Sequence, residues 1–222
     1  MNRIFIAIIC FLLLSLSSSS QVIYRGHDLN QVALTFDDGP SMGFTEKILD
    51  ILKKENVKAT FFVIGEKAYQ YPYILKQISD GGHDIGNHTY YHSRVTWLSD
   101  EKLLGEIKRT SDVVNKITGK ETKFFRPPFG TITPERKRLI EKDGYTIVMW
   151  YGNADDFYHI GWGMRSPKSI TKRILSQLKG GNIILMHDDS KQIIEALPEI
   201  IKEIRKRGYR FVTLSELKTA AN

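Results

Sequence analysis

The feature that most constrains the fold of this chain is an alternation. Seven short apolar, β-rich runs ("VALTF", "KATFFVIG", "HDIGNH", "KFFRPP", "TIVMWYG", "NIILMH" and "RFVTL") are interleaved with stretches of helical period at 45–55, 72–80, 100–118, 134–143, 167–179 and 194–207. The stretch 100–118 shows the period well: Leu103, Leu104, Ile107, Val114 and Ile117 fall on one face. Ser99 or Asp100 can cap its start and Gly119 follows its end. Thr133 stands before a first-turn Pro134, where a missing N–H costs nothing. Strands that alternate with helices predict a single-domain α/β fold with about seven parallel strands and right-handed crossovers. The spacing suits a (β/α) barrel, and an open doubly wound sheet leaves a similar signature. With 222 residues, 41% of them hydrophobic, the chain can build one sizeable core.

The first twenty residues do not belong to that pattern. Arg3 precedes an apolar run from Ile4 to Leu16, and "SLSSSS" follows with small residues. This is the layout of a signal peptide over 1–20, with an uncleaved anchor as the other reading, and the run is short for a bilayer span. The catalytic domain is then expected over 21–222, in a protein that is secreted or held at the cell envelope. Cys10, the only cysteine, lies in the apolar run, so the remainder has neither a disulfide framework nor thiol chemistry.

The net charge of +7 falls to +6 without Arg3. Lysines and arginines are scattered among glutamates on the helical stretches, as in "EIKR", and read as solvated faces. They form no compact basic-aromatic stripe of the kind nucleic-acid readers use, so no nucleic-acid partner is expected. No membrane partner is expected beyond the N-terminal segment, and nothing in the sequence speaks to oligomeric state.

The unusual polar residues gather at or just past the C-terminal ends of the strands: "DDGP", "NHTYYH", "RPPFG", "NADDF" and "HDD". In α/β barrels that rim is where loops build a site. His88 and His92 are four apart, so on a helical turn their rings share a face. With Asp38 from another strand end they make a three-ligand site with open positions. Mixed nitrogen and oxygen ligands without thiolate favour zinc, with cobalt, manganese or iron as substitutes. Asp37 is left free to act as general base on water. Arg126 can hold that carboxylate ionised and oriented, and the N–H of Phe129 can face an oxyanion. His187 can act as general acid, with Asp156 raising its pKa. Tyr158 and Trp162 offer aromatic faces that pair an apolar body with a polar tip. His83 reads as structural.

Taken in order, "TFDDGP", "GNHTYYH", "RPPFG", "WYGNADDF" and "IILMHD" resemble the five motifs of the polysaccharide deacetylases, the NodB-homology enzymes of carbohydrate esterase family four. The resemblance spans about residues 32–217. It implies a distorted seven-stranded (β/α) barrel and metal-dependent removal of N-acetyl groups from a glycan, peptidoglycan or a chitin-like polymer. It carries the base onto Asp37, the metal ligands onto Asp38, His88 and His92, the orienting arginine onto Arg126 and the acid onto His187. Leu185 matches the residue lining the pocket for the acetyl methyl. The fourth motif departs from the family's Asp-x-x-Asp-Trp: Asn153 replaces the first Asp, Asp156 keeps the second, and Phe157 replaces Trp with a smaller pocket wall. An O-acetyl esterase, such as one acting on acetylxylan, and a silent glycan-binding module are the alternatives.

Overall fold

The computed structural model describes residues 22–217 apart from Phe157, Tyr158, Gly161 and Trp162, and only the backbone of residues 159, 160, 163 and 164. The elements are β1 (Gln31–Gly39), α1 (Thr45–Lys54), β2 (Thr60–Val63), α2 (Gly65–Gln70), α3 (Pro72–Asp80), β3 (Asp84–Asn87), α4 (Asp100–Thr118), β4 (Phe124–Phe125), α5 (Pro134–Lys142), β5 (Thr146–Ile147), β6 (Gly152–Asn153), β7 (His159–Ile160), β8 (Gly163–Met164), α6 (Pro167–Gln177), β9 (Ile183–His187), α7 (Lys191–Lys206) and β10 (Arg210–Phe211). Seven parallel strands run in the order β5-β4-β3-β2-β1-β9-β6, curled into a half-barrel, and the short β10 pairs with the start of β1.

The caps read from the sequence are in place. Ser99 accepts a hydrogen bond from the N–H of Lys102, Gly119 closes α4 in the left-handed conformation, and Thr133 accepts from the N–H of Arg136. Of the five apolar residues expected on one face of α4, Leu103, Ile107 and Val114 are fully buried, and Leu104 and Ile117 are half-buried.

Two expectations change. The run "TIVMWYG" is not one strand: β5 and β6 are two residues each, and the chain between them crosses the gap in the sheet. That gap is bridged by the segment beginning at Val22, where Ile23 pairs with Val148 and Arg25 with Asn182. The second is α2, which the sequence reading passed over. It has six residues, too few to show a helical period.

Strand alternation decides what points where. On β1, Val32, Leu34 and Phe36 pack outward into the large core beneath the helices, while Ala33 joins the inner cluster with Phe62, Val148 and Ile183. Period two then puts Thr35 and Asp37 on the inner side above Ala33. The neighbouring β9 repeats the pattern, with Ile184 and Met186 in the outer core and Ile183 in the inner one. Register pairs Thr35 with Leu185 and Asp37 with His187. The interior is therefore apolar at the bottom and ionisable at its C-terminal mouth.

Candidate active site

The mouth holds a cleft of about 600 Å³ whose lining includes Asp37, Asp38, His88, His92, Phe129, Leu185 and His187. Adjacent residues on a strand normally face opposite sides, yet both aspartates reach this cleft. The reason is local. The pairing of β1 with β2 slips between Asp37 and Gly39, and Asp38 takes a left-handed φ of 73°. A bulge of this kind re-aims a side chain. The two aspartates thus lie inside β1, rather than after it as the sequence suggested. Gly39 must lack a side chain, because a Cβ there would fall 1.8 Å from the carboxylate of Asp188.

Asp37 belongs to a buried ion pair. Nη1 of the wholly buried Arg126 donates to Asp37 Oδ1 at 2.6 Å and to Thr35 Oγ1 at 2.8 Å. Its Nε and Nη2 donate to the carbonyls of Val148 and Met149. The guanidinium lies 4.0 Å above the ring of Phe62, and Gly86 leaves room for that ring, since a Cβ there would come within 2.5 Å of it. A buried charge this well satisfied is an exception to the cost of burying ions.

Asp38 has different neighbours. Its Oδ1 lies 3.4 Å from Nε2 of His88 and 3.2 Å from Nε2 of His92. Neither contact has hydrogen-bond geometry, so this buried oxygen is left without a hydrogen-bond partner among the described residues. Ligand atoms of the three residues all lie within 4.8 Å of one another. An orphaned carboxylate oxygen facing two imidazole nitrogens is a donor set suited to a divalent cation. Burial alone would raise the Asp38 carboxyl, but the contact with His88 and the charges of His88, His92 and His187 hold it well below the usual carboxylate range. Burial pushes the His92 imidazole down.

The two histidines do not share a helical turn, as their spacing suggested. His88 follows β3, and the loop after it turns through left-handed residues at Thr89 (φ 64°) and His92 (φ 57°). Glu106 on α4 clamps that loop: it accepts from the N–H groups of Tyr90 and Tyr91 and from Ser93 Oγ. The carbonyl of Arg126 lies 2.7 Å from Nδ1 of His88. A proton on Nδ1 satisfies this contact and turns the Nε2 lone pair toward Asp38.

On the far wall, Nδ1 of His187 lies 3.0 Å from Oδ1 of the buried Asp156, whose Oδ2 accepts from the His187 N–H. Burial works against a charged ring, but the hydrogen bond and charge of Asp156, with Asp37 and Asp38, outweigh it and raise the pKa to about 9. Leu185 sits below His187 on the same face. The ring of Phe129 packs against that of His92, with centroids 4.6 Å apart and the planes tilted by 54°. Asn153 binds the N–H of Asp155, and Asp155 pairs with Arg165 at 2.6 Å. Phe157, Tyr158 and Trp162 lie outside the described residues.

Two residues near the site carried no sequence signal, and a third, Asp188 of "HDD", was given no role by the sequence. Glu106 was hidden on the polar face of α4. Lys67 Nζ donates to the Asp38 carbonyl at 2.7 Å. Asp188, wholly buried, accepts from Thr45 Oγ1 and Ser41 Oγ, and burial pushes its carboxyl up to about 7. His83 is structural: its Nδ1 accepts from the N–H of Ala59, and burial, with Lys58 and Lys120 nearby, lowers its pKa to about 4.

A parallel half-barrel with a carboxylate-imidazole metal site, a carboxylate held by arginine and an imidazole held by a second carboxylate defines a hydrolase of the metal-assisted class. Residues 25–148 match the family model of the polysaccharide deacetylases. The chain is 39% identical over 191 residues to a peptidoglycan-N-acetylglucosamine deacetylase of Bacillus cereus, covering 84% of this chain and 68% of that one. It is 38% identical over 193 residues to the peptidoglycan-N-acetylmuramic acid deacetylase PdaC of Bacillus subtilis, covering 86% of this chain and 40% of that one. Among solved structures, the Bc1960 peptidoglycan N-acetylglucosamine deacetylase superposes with a TM-score of 0.84 at 36% identity, over 90% of this chain and 94% of that one. The chain belongs to the polysaccharide deacetylase family.

Proposed function

We propose that this protein removes N-acetyl groups from the sugars of peptidoglycan by metal-dependent hydrolysis, releasing acetate and a free amine. The observation that carries the reading is the divergence of two adjacent carboxylates: Asp37 is tied to Arg126, while Asp38 faces two imidazole nitrogens. Membership of the family supports it, as do relatives that act on N-acetylglucosamine and N-acetylmuramic acid of peptidoglycan.

Asp38, His88 and His92 hold the cation, zinc in this reading, with cobalt, manganese or iron(II) as substitutes. When bound, the ion supplies Lewis acidity toward an acetyl carbonyl and lowers the pKa of water. Asp37 takes the proton of the attacking water. Arg126 occupies its Oδ1, which leaves Oδ2 as the basic atom, 3.8 Å from Nε2 of His88. The N–H of Phe129 donates to the developing oxyanion. His187, kept cationic by Asp156, gives its proton to the departing amine nitrogen, and Leu185 packs against the acetyl methyl. Phe157 and Trp162, outside the described residues, are candidate substrate contacts on the strength of the sequence. The segment 1–20 acts as a signal peptide, and the domain 21–222 works at the cell envelope.

The test is a mass-spectrometric screen for acetyl loss, run on peptidoglycan fragments, chitooligosaccharides and acetylxylan, with chelator and with added zinc. Acetyl loss from peptidoglycan fragments that chelator abolishes and zinc restores is the expected result. Loss from acetylxylan alone would replace the reading with an O-acetyl esterase, and no loss from any substrate would end it.

A further inference from the structure

We propose that Arg94 makes the cleft selective for glycans that carry a carboxylate beside the sugar being deacetylated, an inference that rests on the deacetylase reading above. Arg94 lies two residues past His92 and lines the same cleft. Its guanidinium lies over two aromatic rings, 4.3 Å from the centroid of Phe129 and 5.0 Å from that of Trp97. Phe129 in turn packs against His92. Phe129 thus links the guanidinium to the imidazole that faces Asp38.

The other charges of the cleft each face an opposite charge or an imidazole. Asp37 has Arg126, Asp155 has Arg165, Asp38 has two imidazoles and His187 has Asp156. Arg94 meets no carboxylate among the described residues, and its Nε is buried with no hydrogen-bond partner among them. The remaining residues of the chain carry no Asp or Glu side chain that could supply one. With Nε buried, a ligand oxygen meets the terminal Nη groups. Ring contacts use the face of a guanidinium and leave its N–H edge to meet an acceptor. That edge is a fork of N–H groups matched to the two oxygens of a carboxylate. Trp97 is 80% exposed and Phe129 52% exposed. Aromatic side chains this open beside a cation make a platform on which a sugar ring can lie while its acidic substituent meets Arg94. A neutral N-acetylglucosamine polymer offers that edge only hydroxyl and carbonyl oxygens, without the charge assistance of a carboxylate.

The carboxylate can come from the lactyl group of a peptide-free muramic residue or from an acidic residue of a peptide stem. The test measures kcat/KM on peptide-free strands, on stem-bearing strands and on each after methyl esterification of its carboxyls. Wild type, Arg94→Gln and Arg94→Lys are compared. Wild type is expected to prefer a free-acid strand to its ester by about tenfold, the size of one charge-assisted hydrogen bond. Arg94→Gln should bring that ratio close to one, and Arg94→Lys should keep part of it. Loss of preference on peptide-free strands supports the lactyl source, and loss on stem-bearing strands supports the stem. An unchanged ratio on both strand types overturns the proposal. Calorimetric binding of the same strands to wild type and Arg94→Gln reads the subsite without turnover. Arg94-dependent binding without acetate release would sink the deacetylase reading and leave the subsite standing. Acetate release with no Arg94-dependent preference would do the opposite.

Discussion

The inner wall of the cleft and its outer rim hold their side chains by different means. Asp37, Arg126 and Leu185 project from or beside paired strands and are buried, and the one fully buried arginine donates four hydrogen bonds. The rim is built of loop and short 3-10 turns: His92, Arg94, Trp97 and Phe129 are held by a glutamate clamp and by ring contacts, and two of the rings are more than half exposed. In the proposed reading the wall fixes the distances a proton transfer needs, within about half an ångström in working sites, and the rim meets the part of the substrate that varies. Damage to the wall should therefore appear as lost folding or lost chemistry, and damage to the rim as altered affinity or selectivity.

The largest effect should follow removal of the wall's buried cation. Arg126→Ala leaves Asp37 buried and unpaired, which costs about 3–5 kcal/mol. Urea denaturation is expected to show that loss. A cost under about 1 kcal/mol, the size of a surface pair, would mean that the wall is no more tightly held than the rim. Next comes the clamp between the two regions. Glu106→Gln should weaken metal binding by about tenfold to a hundredfold, the usual cost of losing a partner behind a ligand, while the melting temperature changes little. Unchanged metal affinity would show that the loop holds itself.

A smaller change is expected in pH dependence. The fold raises the His187 pKa from 6.5 to about 9. Its contribution to stability is therefore present in full below pH 6.5 and is lost as pH rises through 9. Asp156→Asn should flatten that slope and move the basic limb of the pH–rate profile toward 6.5. A limb that stays put would remove His187 as the proton donor. The smallest effect belongs to the rim: Trp97→Ala should change stability by less than about 0.5 kcal/mol and reduce binding of long glycans more than of short ones.

The same division governs what could be read from the chain. Periodicity located the helices and most strands because each reflects a repeat of local contacts, as with Leu103, Ile107 and Val114 on α4. The residues meeting at the mouth could be named because strand ends in a parallel barrel share one rim. The bulge at Asp38 was not legible, since it depends on how β1 pairs with β2, far away in sequence. The helical turn assumed for His88 and His92 failed for a related reason. Spacing of four fits a helix, but left-handed residues at Thr89 and His92 bring the two rings together by another path. Glu106 and Asp188 look like any surface or turn acid until the fold shows what they hold.

The proposal that two neighbouring aspartates do different work is tested most directly by Asp37→Asn, with metal content and acetate release measured on the same sample. Metal bound at the wild-type stoichiometry with acetate release lowered at least about a hundredfold, the low end for losing a general base, is the predicted result. Retained acetate release, or loss of the metal along with the activity, would contradict it.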